Sequence, residues 1–409
     1  MAVRLDYGQE GHFDCEVDPE KVLASHFGPV PCPDLAGELR NALEQPFEFP
    51  PFAQLFVPAD HVTLAIDRHT PQAPTLVAEV WKVLESRGVE PEDVLLLQPP
   101  GWDQTPLVDP RVELPAEIRN EVQWVIHDPT EPTNQAYLAT TVRGERVYLA
   151  RSLVEADVAL SIGSIEFDSV LGHRGTSSVY YPGLSSTEAI SRAHGMGHSE
   201  LGPDDERPLR QIIDEIGWLL GTQFTIQVIP SAGAGAANVL AGATEAVFRR
   251  GTQMLSDAWL MELEHRAQTV VVAVDLDAAG HGWSQIAAAL GTARNLVAKG
   301  GKIVVLSELR AELGVGMQLI RDSRSPRNAL QPLRKQTPPD LIAATQLASS
   351  LDWAHVYLLS KMDQNVVDDL FMTPLANETE AQRLINSAES CVFLGSAQHT
   401  FARVESHAT

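Results

Sequence analysis

The chain has 409 residues, a formal charge of −24 and three scattered cysteines (Cys15, Cys32, Cys391) with no CxxC spacing. Its length exceeds what one hydrophobic core fills, so two domains are expected, and the cysteines point to neither a disulfide framework nor a zinc cluster. The negative charge argues against nucleic acid or an anionic membrane as partner; with no apolar run long enough to span a bilayer and no apolar signal core at the N-terminus, the cytoplasm is the simplest location.

In chain order, the first sixty residues read as a hairpin-like start, a helix near Leu35 to Leu43 and a Pro-rich connector from Phe47 to Phe52. VTLAID (Val62 to Asp67) is a short apolar run, the mark of a strand buried on both faces of a parallel sheet. A helical pattern follows from Thr75 to Arg87 and stops at Gly88. Strands are expected at Leu95 to Gly101, Val122 to Asp128, Glu145 to Arg151 and Asp157 to Gly163. Next come a helix over Arg207 to Leu220, a strand over Phe224 to Ile229, and one long helix over Leu240 to His265, or two with a break near Gly251.

A second series starts with the strand Thr269 to Asp275. It continues with a helix at Trp283 to Lys299, a strand at Lys302 to Ser307 and a helix starting near Leu309. Arg321 to Pro339 looks like a surface loop. His355 to Ser360 and Cys391 to Gly395 read as strands, with a helix around Glu378 to Ser387 between them. Strands alternating with helices predict an α/β fold: two α/β domains with mainly parallel sheets, 1–265 and 266–409, and an interdomain cleft. Ligands of such sheets bind beyond the carboxyl ends of the strands. The loops after Ile66, Gln98, Ile126, Ile162 and Val274 therefore carry the candidate chemistry.

Those loops are rich in polar groups. After Ile66 come Asp67-Arg68-His69-Thr70-Pro71, and after Gln98 come Pro99-Pro100-Gly101-Trp102-Asp103-Gln104. An aspartate in such a loop caps a turn as readily as it orients a ligand. The longest informative stretch is ADVALSIGSIEFDSVLGHRGTSSVYYPGLSSTEAISRAHGMGH, from Ala156 to His198. It contains a strand, Asp168, the polar run His173-Arg174-Gly175-Thr176-Ser177-Ser178, a Pro-Gly turn at Pro182 and Gly183, and a helix bearing His194. Arg174, Thr176 and Ser177 are able to hold a phosphate through side chains and backbone N–H groups, or to be plain surface loop. His198 lies four residues beyond His194 and shares its face only if Gly195 and Gly197 do not end the helix.

This layout resembles the nickel-dependent lactate racemase family, in which a strand and glycine loop lead to a Pro-Gly turn and a helix with a nickel-binding histidine. The resemblance is dense from Ala42 to His194, through EQPFEFPPFAQL, the D-x-x-x-P turn, VEADVALSIG and PGLSSTEAI. It implies a racemase or epimerase, an isomerase of a 2-hydroxyacid or related hydroxy compound. In that family two histidines flank the substrate, and each removes the carbinol proton of one enantiomer while the nickel cofactor takes a hydride. Asp103 and Asp168 stand at those two positions; an aspartate still serves as a general base when its surroundings allow. Ser178 stands where the family's lysine tethers the nickel-pincer nucleotide, so that nucleotide, or a relative, would be held without a covalent bond. Asp67, Arg68, Thr70, Arg174, Gly175, Thr176, Ser177, Ser178 and Gln285 are then the cofactor-binding candidates, with His194 the ligand of nickel or another divalent metal. Thr70 replaces a substrate-binding arginine and Ala288 a lysine that helps bind the substrate carboxylate. Asp275 and His281 are further strand-end candidates, and His127 and Asp128 fix loop geometry. Two other readings stay open: a non-catalytic cleft binding a small ligand or nucleotide, and a divalent-metal enzyme of other chemistry.

Overall fold

The structure, a computed structural model, describes residues 1–101, 107–198, 205 and 207–404. The fold is two-domain α/β with mainly parallel sheets. The chain divides into two compact units: a middle unit of Val30–Ala193 with Glu206–Asp257, and a second unit of Met1–Pro29, His194–Asp205 and Ala258–Thr409. The division differs from a continuous 1–265 and 266–409 split. The physical reason is strand pairing: Val22–His26 pairs in parallel with Cys391–Leu394 and so joins the sheet made by the end of the chain.

The middle unit is built on a six-stranded sheet in the order Ala236–Ala243, Phe224–Pro230, Val158–Ser164, Val62–Ile66, Val94–Gln98, Gln123–Ile126. All neighbours are parallel except the first pair. Every residue of Val62–Ile66 is buried, as expected of a strand covered on both faces. The helices Leu35–Glu44 and Ala73–Ser86 bring Leu35, Leu39, Leu43, Leu76, Val80 and Leu84 onto it. This i, i+4 spacing places the apolar side chains on one helix face.

The second unit has its own sheet in the order Thr373–Leu375, His355–Leu359, Val297–Leu306, Ala267–Ala273, Cys391–Leu394, Val22–His26. Alternation along one strand separates its two faces. Val270 and Val272 pack with Ile286 and Leu290 of the helix Trp283–Leu296. Val271 and Ala273 pack with Leu5 and Phe13 of the N-terminal hairpin Ala2–Tyr7/Gly11–Glu16.

Three segments differ from expectation. Residues 236–243 are an antiparallel edge strand on Phe224–Pro230, and the helix begins only at Thr244 and ends at Trp259. The pairing satisfies the open edge of a fully buried strand, which outweighs local helical pattern. Glu145–Arg151 does form a strand, Arg146–Ala150, but it makes a separate hairpin with Gln135–Thr140. Arg321–Pro339 is not a loop: Pro326–Gln336 is a helix that starts with proline and buries Ala329 and Leu333. Among the described residues no helix is long and apolar enough to cross a membrane.

Candidate functional site

At the carboxyl edge of the middle unit's sheet, Asp67 continues the strand Val62–Ile66. Its N–H donates to the Ile162 carbonyl at 2.8 Å. Oδ1 accepts from the Arg68 N–H at 2.8 Å, and Oδ2 faces Arg174 Nη2 at 3.3 Å. The same guanidinium lies 4.0 Å from Glu166 Oε1, and Ser164 Oγ donates to that carboxylate. Arg174, Asp67 and Glu166 keep side-chain exposures of 28%, 19% and 23%, so this cluster faces solvent rather than being sealed. Arg68 lays its guanidinium against the main chain at Gly101. Thr70 is buried, and its hydroxyl donates to the Asp67 carbonyl at 2.9 Å. Thr70 therefore closes the turn.

Asp168 ends the first strand of a short antiparallel hairpin, Glu166–Asp168 with Gly172–Arg174. Its Oδ1 accepts from the N–H groups of Val170 and Leu171 at 2.7 and 2.8 Å, which fixes the hairpin turn. Individual side-chain hydrogen bonds hold the polar run beyond it. Ser178 Oγ accepts from the Gly175 N–H at 2.9 Å. Thr176 and Ser177 are buried, and Arg210 from the helix Pro208–Leu220 donates to the Gly175 carbonyl and Thr176 Oγ1 at 3.1 and 3.2 Å. Arg210 was not visible as a site residue in the sequence; its one signal was the i, i+4 pairing with Asp214, here 2.5 Å. Burial, then the charges of Arg207 and Arg210, hold the His173 imidazole below its ordinary pKa. His127 is likewise lowered by burial while its Nε2 meets the Ser185 carbonyl at 2.9 Å. Asp128 caps Thr130 beside it.

In the second unit, His194 Nε2 lies 2.7 Å from the Pro338 carbonyl, so that nitrogen is the proton donor of the ring. The helix Thr187–Gly195 gives way there to a 3-10 turn over Met196–His198. Gln285 closes the start of its helix: Oε1 accepts from the Gly282 N–H at 3.0 Å, and Nε2 reaches Asp277 Oδ1 at 3.4 Å. Asp275 and His281 sit at the strand end, bound to Ser396, Gln398 and Ser307. Asp103 lies outside the described residues. Among the described residues no group of three or more His, Cys, Asp or Glu side chains is placed to hold a metal ion.

The structure thus brings Asp67, Arg174, Gly175, Thr176, Ser177 and Ser178 to one sheet edge, with Asp168 on the adjoining hairpin. A lysine-tethered nickel-pincer nucleotide does not fit this loop. Ser178 has no amine, and its hydroxyl is engaged by the Gly175 N–H.

The lactate racemase N-terminal domain family matches residues 7–202. The lactate racemase of Thermoanaerobacterium thermosaccharolyticum is 21% identical over 372 residues, covering 85% of each chain. The apoprotein structure of the lactate racemase from that organism superposes with a TM-score of 0.80 at 19% identity, covering 98% of this chain and all of the other. A crystal structure of a Thermotoga maritima protein gives a TM-score of 0.64 at 14% identity, over 93% of this chain and all of that one. In sequence and in fold, the chain is a member of the lactate racemase-like family.

Proposed function

We propose that the chain is an isomerase, a racemase or epimerase of a small 2-hydroxyacid or related hydroxy compound. The observation that carries this is the solvent-facing cluster of Arg174 with Asp67 and Glu166 at the carboxyl edge of a parallel sheet, where ligands of such folds bind. Arg174 supplies the cation for a ligand carboxylate, in a site where Thr70 is turned inward. Asp168 is one acid/base group; its second oxygen is the one left to take a proton, because Oδ1 is held by two N–H groups. Asp103 is proposed as its counterpart, and His194 as a metal ligand. Any nickel-pincer-type nucleotide is held without a covalent bond.

The test uses protein purified from its own source. Enantiopure lactate and other 2-hydroxyacids are incubated with it and resolved by chiral chromatography, alongside metal analysis and intact-mass measurement. The expected outcome is interconversion of one acid's enantiomers at a protein mass equal to the sequence mass. Asp168→Asn should lower the rate by roughly 10²–10⁴-fold, the usual loss on removing a general base. Its fold should survive, because the amide oxygen still accepts from Val170 and Leu171. Enantiomers that stay pure throughout would defeat the proposal.

One observation favours a second reading, a non-catalytic ligand-binding protein. Asp168, Ser178 and His194 each engage the main chain through a polar atom. Ligand retention without interconversion is its signature.

A further inference from the structure

Two unfavourable features coincide at one point of the middle unit. Gln227, on Phe224–Pro230, is fully buried. Its Nε2 donates to Thr225 Oγ1 at 2.8 Å, and that hydroxyl donates onward to the Ser161 carbonyl at 3.2 Å. Ser161 Oγ lies 2.7 Å from the same hydroxyl. The carbonyl Oε1 is left facing away, buried and with no hydrogen-bond partner. A buried acceptor without a donor is costly and rare in native folds. The second feature is Thr176, a β-branched residue held at φ 53 directly after Gly175 at φ 120. A bulky residue in the left-handed region is strained, and such strain collects at ligand sites.

The two features touch. A Cβ on Gly175 would lie 3.1 Å from Gln227 Oε1, so this strained turn is the cover of the orphaned oxygen. On the sheet, Gln227 is in register with Gly163. A Cβ on Gly163 would lie 3.3 Å from Gln227 Oε1 and 3.4 Å from Asp67 Cβ. The glycine therefore leaves Gln227 and Asp67 as neighbours across a bare strand. A carboxylate and an amide carbonyl are both acceptors, and adjacent acceptors match adjacent donors.

We propose that Gln227 is a specificity-determining residue: when the Gly175–Thr176 turn lifts, its carbonyl accepts a hydrogen bond from a ligand hydroxyl beside Asp67, selecting hydroxyacids that carry a second, adjacent hydroxyl. This rests on the assignment of this sheet edge as the ligand site. A site built to bind a hydroxyl rejects the analogue that lacks it, because its own polar group is then left unpaired.

Lactate and glycerate differ by that one hydroxyl. Both are titrated into the full-length protein and followed by ligand-observed saturation-transfer NMR. Glycerate should bind on the order of tenfold more tightly than lactate or better, the ratio for one buried hydrogen bond. Gln227→Met should remove the preference. Gly163→Ala, which puts a methyl group between Oε1 and Asp67 and leaves the Thr225 relay intact, should remove it too. Circular dichroism confirms that the variants fold. Equal binding of the two acids, binding of neither, or a preference unchanged in Gln227→Met overturns the assignment. Equal binding leaves the isomerase proposal standing. Conversely, a glycerate preference with no interconversion of enantiomers keeps Gln227 in this role and defeats the isomerase proposal.

Discussion

The two six-stranded sheets carry polar groups at the same place, the carboxyl ends of their strands, and treat them in opposite ways. In the second unit the groups are closed onto one another. Asp275 Oδ2 accepts from Ser396 Oγ at 2.6 Å, and Oδ1 accepts from Gln398 Nε2 at 2.6 Å. His281 Nε2 accepts from the Glu308 N–H at 3.1 Å, and Ser307 Oγ, 3.0 Å from that nitrogen, accepts from the Leu309 N–H at 2.7 Å. In the middle unit the corresponding cluster is looser. Arg174 stands 3.3 Å from Asp67 and 4.0 Å from Glu166, all three are partly exposed, and Gln227 Oε1 has no donor. The difference separates a strand end that ties neighbouring strands together from one that keeps binding capacity.

Substitutions sharpen this contrast. Asp275→Ala removes the common acceptor of Ser396 and Gln398 and should cost about 3 kcal/mol, the scale of hydrogen bonds to a charged group. Denaturant melts measure it, and a loss under about 1 kcal/mol would show that the second unit's strand ends are not locked as described. Asp67→Asn should cost less than about 1 kcal/mol in the same melts, because its ion pair with Arg174 is partly solvated. If it proves as damaging as Asp275→Ala, the two edges are alike and the contrast fails.

The smallest effect at neutral pH comes from His127 and His173, both held below the ordinary imidazole value mainly by burial. The unfolded chain then takes up protons first, so their stabilising contribution is complete above about pH 6.5 and is lost as the pH falls through that value toward the depressed folded one. Melts at a series of pH values should show stability falling in that direction, with a shallower slope in His127→Gln. An unchanged slope would remove His127 from the account.

How far all this was legible in the sequence depends on the range of the interaction. Runs such as Val62 to Asp67 and Thr269 to Asp275 announce buried parallel strands because burial on both faces demands unbroken apolar sequence. The Asp67 turn is legible for a similar local reason, since Asp67 and Thr70 close it within four residues. The strand Ala236–Ala243 and the helix Pro326–Gln336 were hidden. The first exists because the strand just before it, Phe224–Pro230, needed an edge partner, and the second because a proline-led segment buries Ala329 and Leu333 against the helices on either side of it, Val315–Arg321 and Leu341–Trp353; both are packing requirements that the local residue pattern does not spell out. The site divides in the same way. Asp168, Arg174 and Ser178 could be located by spacing along the chain. That Arg174 meets Asp67, that Arg210 pins Thr176, or that Gln227 lies under Gly175 follows from register between strands and from one helix settling on a loop. Gln227 in particular sits inside FTIQVI, where a lone polar residue reads as an interruption of an apolar strand.

The parallel pairing of Val22–His26 with Cys391–Leu394 has a consequence for the order of events during synthesis. Those partners are separated by nearly the whole chain, so closing them carries the loop entropy of everything between. The middle unit ends at Asp257 and has all its strands in hand while the partner of Val22–His26 is still unmade. Domains fold as units while the chain emerges. The middle unit is therefore expected to form first, while residues 22–26 belong to a sheet completed only by residues 391–394. Until then Val22–His26 waits without its partner, the stage at which this chain is most exposed to pairing with another copy of itself.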